Sequence, residues 1–347
     1  MPRNFDEARQ RLEEARERAR VAAHEAHDRV REAQDRAVGI AREAASEAQE
    51  RARAVTDAMP PGLVVRLVSS FVGIPLLLVL VFFEVDARLP GILFASALAL
   101  VALLGAGEYF RALRLRHFRP SSVVGYLAIA ILQIAAFGSG QGILSELLPM
   151  FLAVMVITTL VHQVVRRESE PLANTGVTFL GVVYVGWMVS YLIRLRSFPG
   201  MVAPAPFPET PKGAWVVLYV FAVTWITDTG AYFTGSRFGK RKLAPRLSPN
   251  KTVEGAVGGL CFATLMSVGW GTWIGLPLWH CALLGPILGL LGQIGDLCES
   301  ALKRDLGIKD FGGIMPGHGG ILDRFDSLLF TAPIAYYYLS VVLRGHL

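Results

Sequence analysis

Residues 278–298 read LWHCALLGPILGLLGQIGDLC, an unbroken apolar run whose single charged side chain is Asp296. A run of this length matches the roughly 20 residues a helix needs to cross a bilayer. A carboxylate near its end is costly in hydrocarbon and therefore marks a functional position rather than filler. Working outward, eight more runs of similar character cover about 63–83, 89–109, 121–138, 143–163, 173–193, 213–235, 253–274 and 322–343. The 347-residue chain is 53% hydrophobic and only 18% charged, with mean hydropathy +0.45; a soluble domain would carry about 25% charged residues. The expected fold class is all-α: a polytopic integral membrane protein with about nine transmembrane helices, preceded by a long charged N-terminal helix. Cys261, Cys281 and Cys298 all fall inside apolar runs, so no disulfide framework is expected.

Two regions separate by composition. Residues 1–58 hold 12 Arg, no Lys and 13 Asp plus Glu, and no apolar h-region, so a cleaved signal is not expected there. Small or apolar residues recur at the helical period of about 3.6, with opposite charges interleaved, and Pro60-Pro61 follows. This reads as a solvated, Ala-striped helix or a weak coiled coil. It lacks the large apolar side chains of a membrane-surface helix. Residues 1–58 are thus expected to form one cytoplasmic helix and 59–347 a membrane-embedded domain.

Orientation follows from the cations. With nine spans and the N-terminus inside, the inner loops near 110–120, 164–172, 236–252 and 299–321 carry 15 Lys or Arg, against five in the outer loops and C-terminus. Short basic loops stay cytoplasmic. The expected location is therefore the cell (inner) membrane, multi-pass, with the N-terminus and active site on the cytoplasmic side.

The same face collects acids. Asp228, Glu254, Asp296, Asp323 and Asp326 fall at or near the expected cytoplasmic ends of the last four spans. Carboxylates gathered at one point repel unless a cation joins them. An oxygen-only set without a His or Cys cluster favours Mg²⁺ over zinc or copper. Lys251, Lys303, Arg304, Lys309 and Arg324 suit polyphosphate. The glycines between 307 and 320 permit the close backbone approach of a phosphate-cradling loop. These features together indicate phosphoryl or nucleotidyl transfer and leave open which.

Other motifs carry less. GSRFGKRK at 235–242 is one residue short of a phosphate loop and lacks Ser or Thr after its lysine, so it reads as a basic inner loop. His162, His280 and His346 are isolated and read as interfacial or surface residues. His318, flanked by glycines, belongs with the charged loop. Gly255/Gly259 and Gly285/Gly289 have the spacing of close helix packing, and Tyr336–Tyr338 resemble an interfacial aromatic belt.

Residues 300–326 carry a resemblance. Ser300, Lys303, Arg304, Lys309, Asp310, Pro316, His318, Gly319, Gly320, Asp323, Arg324 and Asp326 stand at the positions of the phosphatidate cytidylyltransferase (CDP-diacylglycerol synthase) signature. WITDTGAY at 225–232 and SPNKTVEG at 248–255 resemble two further blocks of that family, Asn250 being a mild departure. The resemblance covers about 60–347 and implies transfer of CMP from CTP to phosphatidic acid, with Mg²⁺ as cofactor. It implies that Asp296 and Asp323 hold the metal. Asp228, Lys251, Glu254, Lys303, Arg304, His318 and Arg324 would form the catalytic group. Ser248, Thr252, Ser300, Lys309, Asp310, Gly319, Gly320 and Asp326 would bind substrate. The implied partners are CTP, phosphatidic acid and the lipid bilayer, with a second copy of the chain left open and no nucleic acid expected. Two rival readings are a CTP-dependent polyprenol kinase, from a related membrane family, and an ion-coupled transporter. Transporters usually place such acids near the midplane between repeats, and no repeat is visible here.

Overall fold

The computed structural model describes residues 63–343 except 87, 141–147, 168, 203 and 314–318, with side chains from Phe71 onward. The expected N-terminal helix over 1–58, and with it Pro316, His318 and His346, lies outside the described residues. The chain divides into two compact units at Leu67/Val68, and apart from residues 63–67 the described residues lie in the second.

Among the described residues the chain is built from helices: α1 Leu63–Phe82, α2 Ile92–Leu115, α3 Ser122–Gly140, α4 Leu148–Arg166, α5 Pro171–Arg196, α6 Lys212–Phe238, α7 Val253–Trp273, α8 Leu278–Asp305 and α9 Leu322–Val342. Seven of them are long and apolar enough to cross a membrane, and Phe71–Phe82 and Met150–Arg166 are shorter apolar stretches. The protein is an all-α polytopic membrane protein. A π-helical stretch, Val182–Trp187, interrupts α5, and another, Tyr338–Val342, ends α9. Pro171 opens α5, where its missing N–H costs nothing. Pro286 and Pro333 lie inside α8 and α9, as membrane helices tolerate when neighbours satisfy the freed carbonyls.

Two connections depart from the expected loops. The 236–252 segment is not an open basic loop: β3 (Lys242–Ala244) pairs antiparallel with β4 (Ser248–Thr252). A second small ladder joins β1 (Met201–Val202) to β2 (Thr210–Pro211). The 299–321 connection begins as helix, because α8 runs on to Asp305. It stops where Gly307 adopts φ 62°, with Ile308 N donating to Lys303 O (2.9 Å) and Gly307 N to Arg304 O (3.0 Å). This paired termination satisfies the helix's last carbonyls and needs a left-handed residue, which glycine supplies without steric cost.

Small residues let the site-bearing helices touch backbone to backbone. A Cβ on Gly255 would sit 2.8 Å from Ala231 O, one on Gly259 2.9 Å from Thr227 O, and one on Gly285 2.7 Å from Thr264 Cα. Both expected glycine pairs therefore serve close packing. Aromatic side chains collect at the α7 end distal to the hairpin. There Trp215 meets Trp273 edge-on at 5.1 Å, and Trp273 Nε1 donates to Ala205 O. His280 is not interfacial: it is buried and bonds Tyr338 Oη through Nδ1 at 2.9 Å.

Candidate active site

Three helices, α6, α8 and α9, and the hairpin deliver the charged groups. Asp228 stands ten residues before the end of α6, about 15 Å along its axis. Asp296 stands nine residues before the end of α8, at comparable depth. Lys251 reaches from β4 and places Nζ 2.5 Å from Asp296 Oδ2. Asp296 Oδ1 faces Ser300 Oγ at 3.4 Å, one turn on along α8. Asp228 lies within electrostatic reach of Asp296, Asp326 and Lys251.

A second group adjoins the first. Lys303 Nζ donates to Asp323 Oδ1 at 2.7 Å and stands 3.5 Å from Glu299 Oε2. Glu299 is fully buried, and neither of its oxygens has a hydrogen-bond partner among the described residues. Burying an unpaired carboxylate costs several kcal/mol; Lys303 and the Asp326 carboxyl are the groups that face this one. Asp323 opens α9, and its Oδ2 accepts from Gly320 N (2.8 Å) and Phe311 N (3.1 Å). Asp326, one turn later, lies within reach of both Glu299 and Asp296 and joins the two groups. Gly295 allows this approach: a Cβ there would sit 2.7 Å from Asp326 O.

The expected site residues separate into those brought together and those that are not. Asp228, Lys251, Asp296, Ser300, Lys303, Asp323 and Asp326 converge. The two expected metal ligands are held in separate ion pairs, Asp296 with Lys251 and Asp323 with Lys303. Glu254 stands apart: Oε2 accepts from the backbone N–H groups of Lys240 (3.0 Å) and Arg241 (3.1 Å), tying the hairpin to α7. Thr252 caps α7, Oγ1 accepting from Gly255 N at 3.1 Å. Ser248 pairs with Ala244 in the hairpin. Arg304 Nη1 reaches Ile308 O at 3.4 Å. Arg304, Lys309, Asp310 and Arg324 are exposed. Gly319 (φ 81°) and Gly320 lie against Asp323 Oδ2.

Sequence reading missed Glu299, three residues after Asp296 and four before Lys303; that spacing puts all three on one helix face. It also missed Tyr184, whose buried hydroxyl has no partner among the described residues and lies in electrostatic reach of Glu299, Asp326 and Asp296. The π-helical stretch that presents Tyr184 leaves no trace in hydropathy.

The converging carboxylates Asp228, Asp296, Glu299, Asp323 and Asp326 outnumber Lys251 and Lys303, and all offer hard oxygen donors. That excess fits a magnesium ion. Among the described residues no compact group of three or more metal-binding side chains is preformed.

Carboxylates interleaved with lysines in the last turns of membrane helices, beside a glycine-rich basic loop, define a membrane-embedded enzyme for phosphate-bearing substrates. Comparison with known proteins specifies it. Residues 64–342 match the cytidylyltransferase family. The chain is 34% identical over 295 residues to the phosphatidate cytidylyltransferase of Synechocystis sp., covering 80% of this chain and 97% of that protein. It is 34% identical over 277 residues to the phosphatidate cytidylyltransferase of Bacillus subtilis, covering 78% and 96%. It is 36% identical over 245 residues to that of Staphylococcus haemolyticus, covering 70% and 86%. The chain belongs to the cytidylyltransferase family and is a nucleotidyltransferase.

Proposed function

We propose that this enzyme transfers the CMP moiety of CTP to phosphatidic acid, giving CDP-diacylglycerol and pyrophosphate. The observation that carries the reading is Lys303, held between Glu299 and Asp323 on the face where the glycine-rich loop meets α8 and α9. The similar proteins of Synechocystis and Bacillus subtilis are phosphatidate cytidylyltransferases, which supports the same reading.

In this reading a phosphate oxygen of the lipid attacks the α-phosphorus of CTP, and the bond to the β-phosphate's bridging oxygen breaks. The nucleophile is already ionised, so no general base is required. Charge grows on the departing pyrophosphate, and Lys303, Arg304 and Arg324 stand on the side where it would be neutralised. Asp323, fixed by Lys303 and two backbone N–H groups, orients that lysine. Lys251 would hold a lipid or α-phosphate oxygen while Asp296 positions it. Asp228, Asp296 and Asp326, with Glu299 behind them, are the residues that would hold Mg²⁺. Bound there, the ion supplies polarisation of the CTP phosphate oxygens. His318, Ser248, Lys309 and Asp310 remain candidate contacts of the nucleotide. The excess of Lys and Arg in the loops on this side supports a cytoplasmic site in the inner membrane.

The test is transfer of label. With purified enzyme, phosphatidate and Mg²⁺, CTP labelled at the α-phosphate should pass its label into lipid, whereas γ-labelled CTP should release it as pyrophosphate. Label entering lipid only from the γ-position would mean a lipid kinase and would overturn the proposal.

A further inference from the structure

The glycine-rich connection between α8 and α9 is held by α2, an element to which neither its sequence nor the reaction assigns a role. Glu108 sits seven residues before the end of α2 and is almost completely buried. Its Oε2 accepts from Leu322 N at 3.1 Å, the amide that opens α9 one residue before Asp323. Its Oε1 has no hydrogen-bond partner among the described residues and lies against Gly312, where a Cβ would collide with it. Gly320 is equally confined, since a Cβ there would stand 2.6 Å from Glu108 Oε2 and 2.9 Å from Asp323 Oδ2.

The neighbouring residue continues the contact. The Tyr109 ring lies 6.3 Å from that of Phe311, the residue whose N–H donates to Asp323 Oδ2. Two turns on from Glu108, Arg116 Nε donates to Leu306 O at 2.8 Å, and its guanidinium fills the space beside Gly307. The last turns of α2 therefore grip the connection at its entry, its middle and its exit.

From this geometry we infer that Glu108 is a positioning residue for the transfer reaction. It holds the backbone that presents two N–H groups to Asp323, and through Asp323 it sets where Lys303 stands. It reaches no substrate directly; it acts through the connection. Its side-chain oxygen is the acceptor that Leu322 N–H finds at the start of α9, a bond an apolar residue of the same size would leave unmade.

This inference rests on the assignment of Asp323 and Lys303 to the reaction, and the experiment separates the two. Hydrogen exchange and steady-state kinetics are measured on the full-length protein in detergent for wild type, Glu108→Ala, Glu108→Gln and Arg116→Ala. Glu108→Ala should speed exchange at Phe311, Gly320 and Leu322 while the β3–β4 hairpin exchanges as in wild type. Its kcat should fall about a hundredfold, the scale of a small misplacement at a reacting centre. Glu108→Gln, which keeps an oxygen to accept Leu322 N–H, should recover most of both properties. Arg116 is exposed, so Arg116→Ala keeps the fold testable if Glu108→Ala does not accumulate; it should loosen Leu306–Ile308 and lower kcat several-fold. Wild-type kcat in Glu108→Ala, or in Arg116→Ala where that variant stands in, would overturn the inference. So would unchanged exchange in the connection, or Gln behaving no better than Ala. A fully active Asp323→Asn enzyme would instead sink the site assignment and leave the exchange result standing.

Discussion

Lys303 Nζ lies 2.7 Å from Asp323 Oδ1, joining α8 to α9 through two side chains twenty positions apart in sequence. The pair is largely shielded, with side-chain exposures of 13% and 4%. Removing one partner of such a pair leaves an uncompensated buried charge, which costs about 3–5 kcal/mol.

Lys303→Ala strands Glu299 and Asp323 together. Turnover should fall by about a hundredfold or more, and the melting temperature in detergent should drop. Asp323→Asn should lower turnover comparably. A Lys303→Ala enzyme within a few-fold of wild type would remove Lys303 from the reaction.

The excess of carboxylates motivates a test of the proposed metal. Activity should vanish in EDTA and return with Mg²⁺, and Asp296→Asn should raise the Mg²⁺ concentration needed for half-maximal rate. Full activity in the presence of chelator would rule out the metal reading.

Glu254 discriminates between resemblance and geometry. Its carboxylate is spent on the backbone of Lys240 and Arg241, on an exposed surface. Glu254→Gln should therefore keep turnover within about tenfold of wild type, because a neutral amide oxygen can still accept those hydrogen bonds. A loss as large as that of Asp296→Asn would move Glu254 into the reacting group.

Much of this was legible in the chain itself. The apolar runs marked the helices because twenty residues without charge have few alternatives to a bilayer, and Asp228, Asp296, Asp323 and Asp326, read from the chain, are acids the fold brings together. Glu108 carried the same signal, an acid at the end of an apolar run, yet it stood far in sequence from the signature. The α8 extension to Asp305 was hidden because hydropathy falls at Glu299 while the helix continues; a span and a helix are different objects. The separation of Asp296 from Asp323 depends on which lysine each meets, and that is set by packing between elements, not by spacing.

Packing itself can be tested at Gly258, where a Cβ would fall on the Thr234 side chain. Gly258→Leu should destabilise by about 1–3 kcal/mol through overpacking, read as a lower melting temperature. Gly269→Ala, with no atom within 4 Å of the added Cβ, should melt as wild type does. Equal melting of the two variants would contradict the α6–α7 crossing described above.

Sidedness can be read from the two ends of α7, about 31 Å apart. The hairpin adjoins Val253, and Ala205 O is bound by Trp273 at the other end. After the native cysteines are replaced, a thiol at 243 should react only with cytoplasmic reagent and one at 205 only with external reagent. Reversed labelling would put the site on the wrong side for CTP.

The glycine-lined crossing of α6 and α7 has a consequence for the membrane in which the enzyme works. Single helices tilt when the bilayer thickens or thins. Two helices whose backbones touch at Gly255 and Gly259 leave no gap to be compressed and must tilt as one strut. Asp228 rides on the first helix and Lys251 immediately precedes the second. Their separation is thus insulated from hydrocarbon thickness, so the rate should stay steady across bilayers of different acyl length even as the enzyme's own product alters the lipid mixture around it.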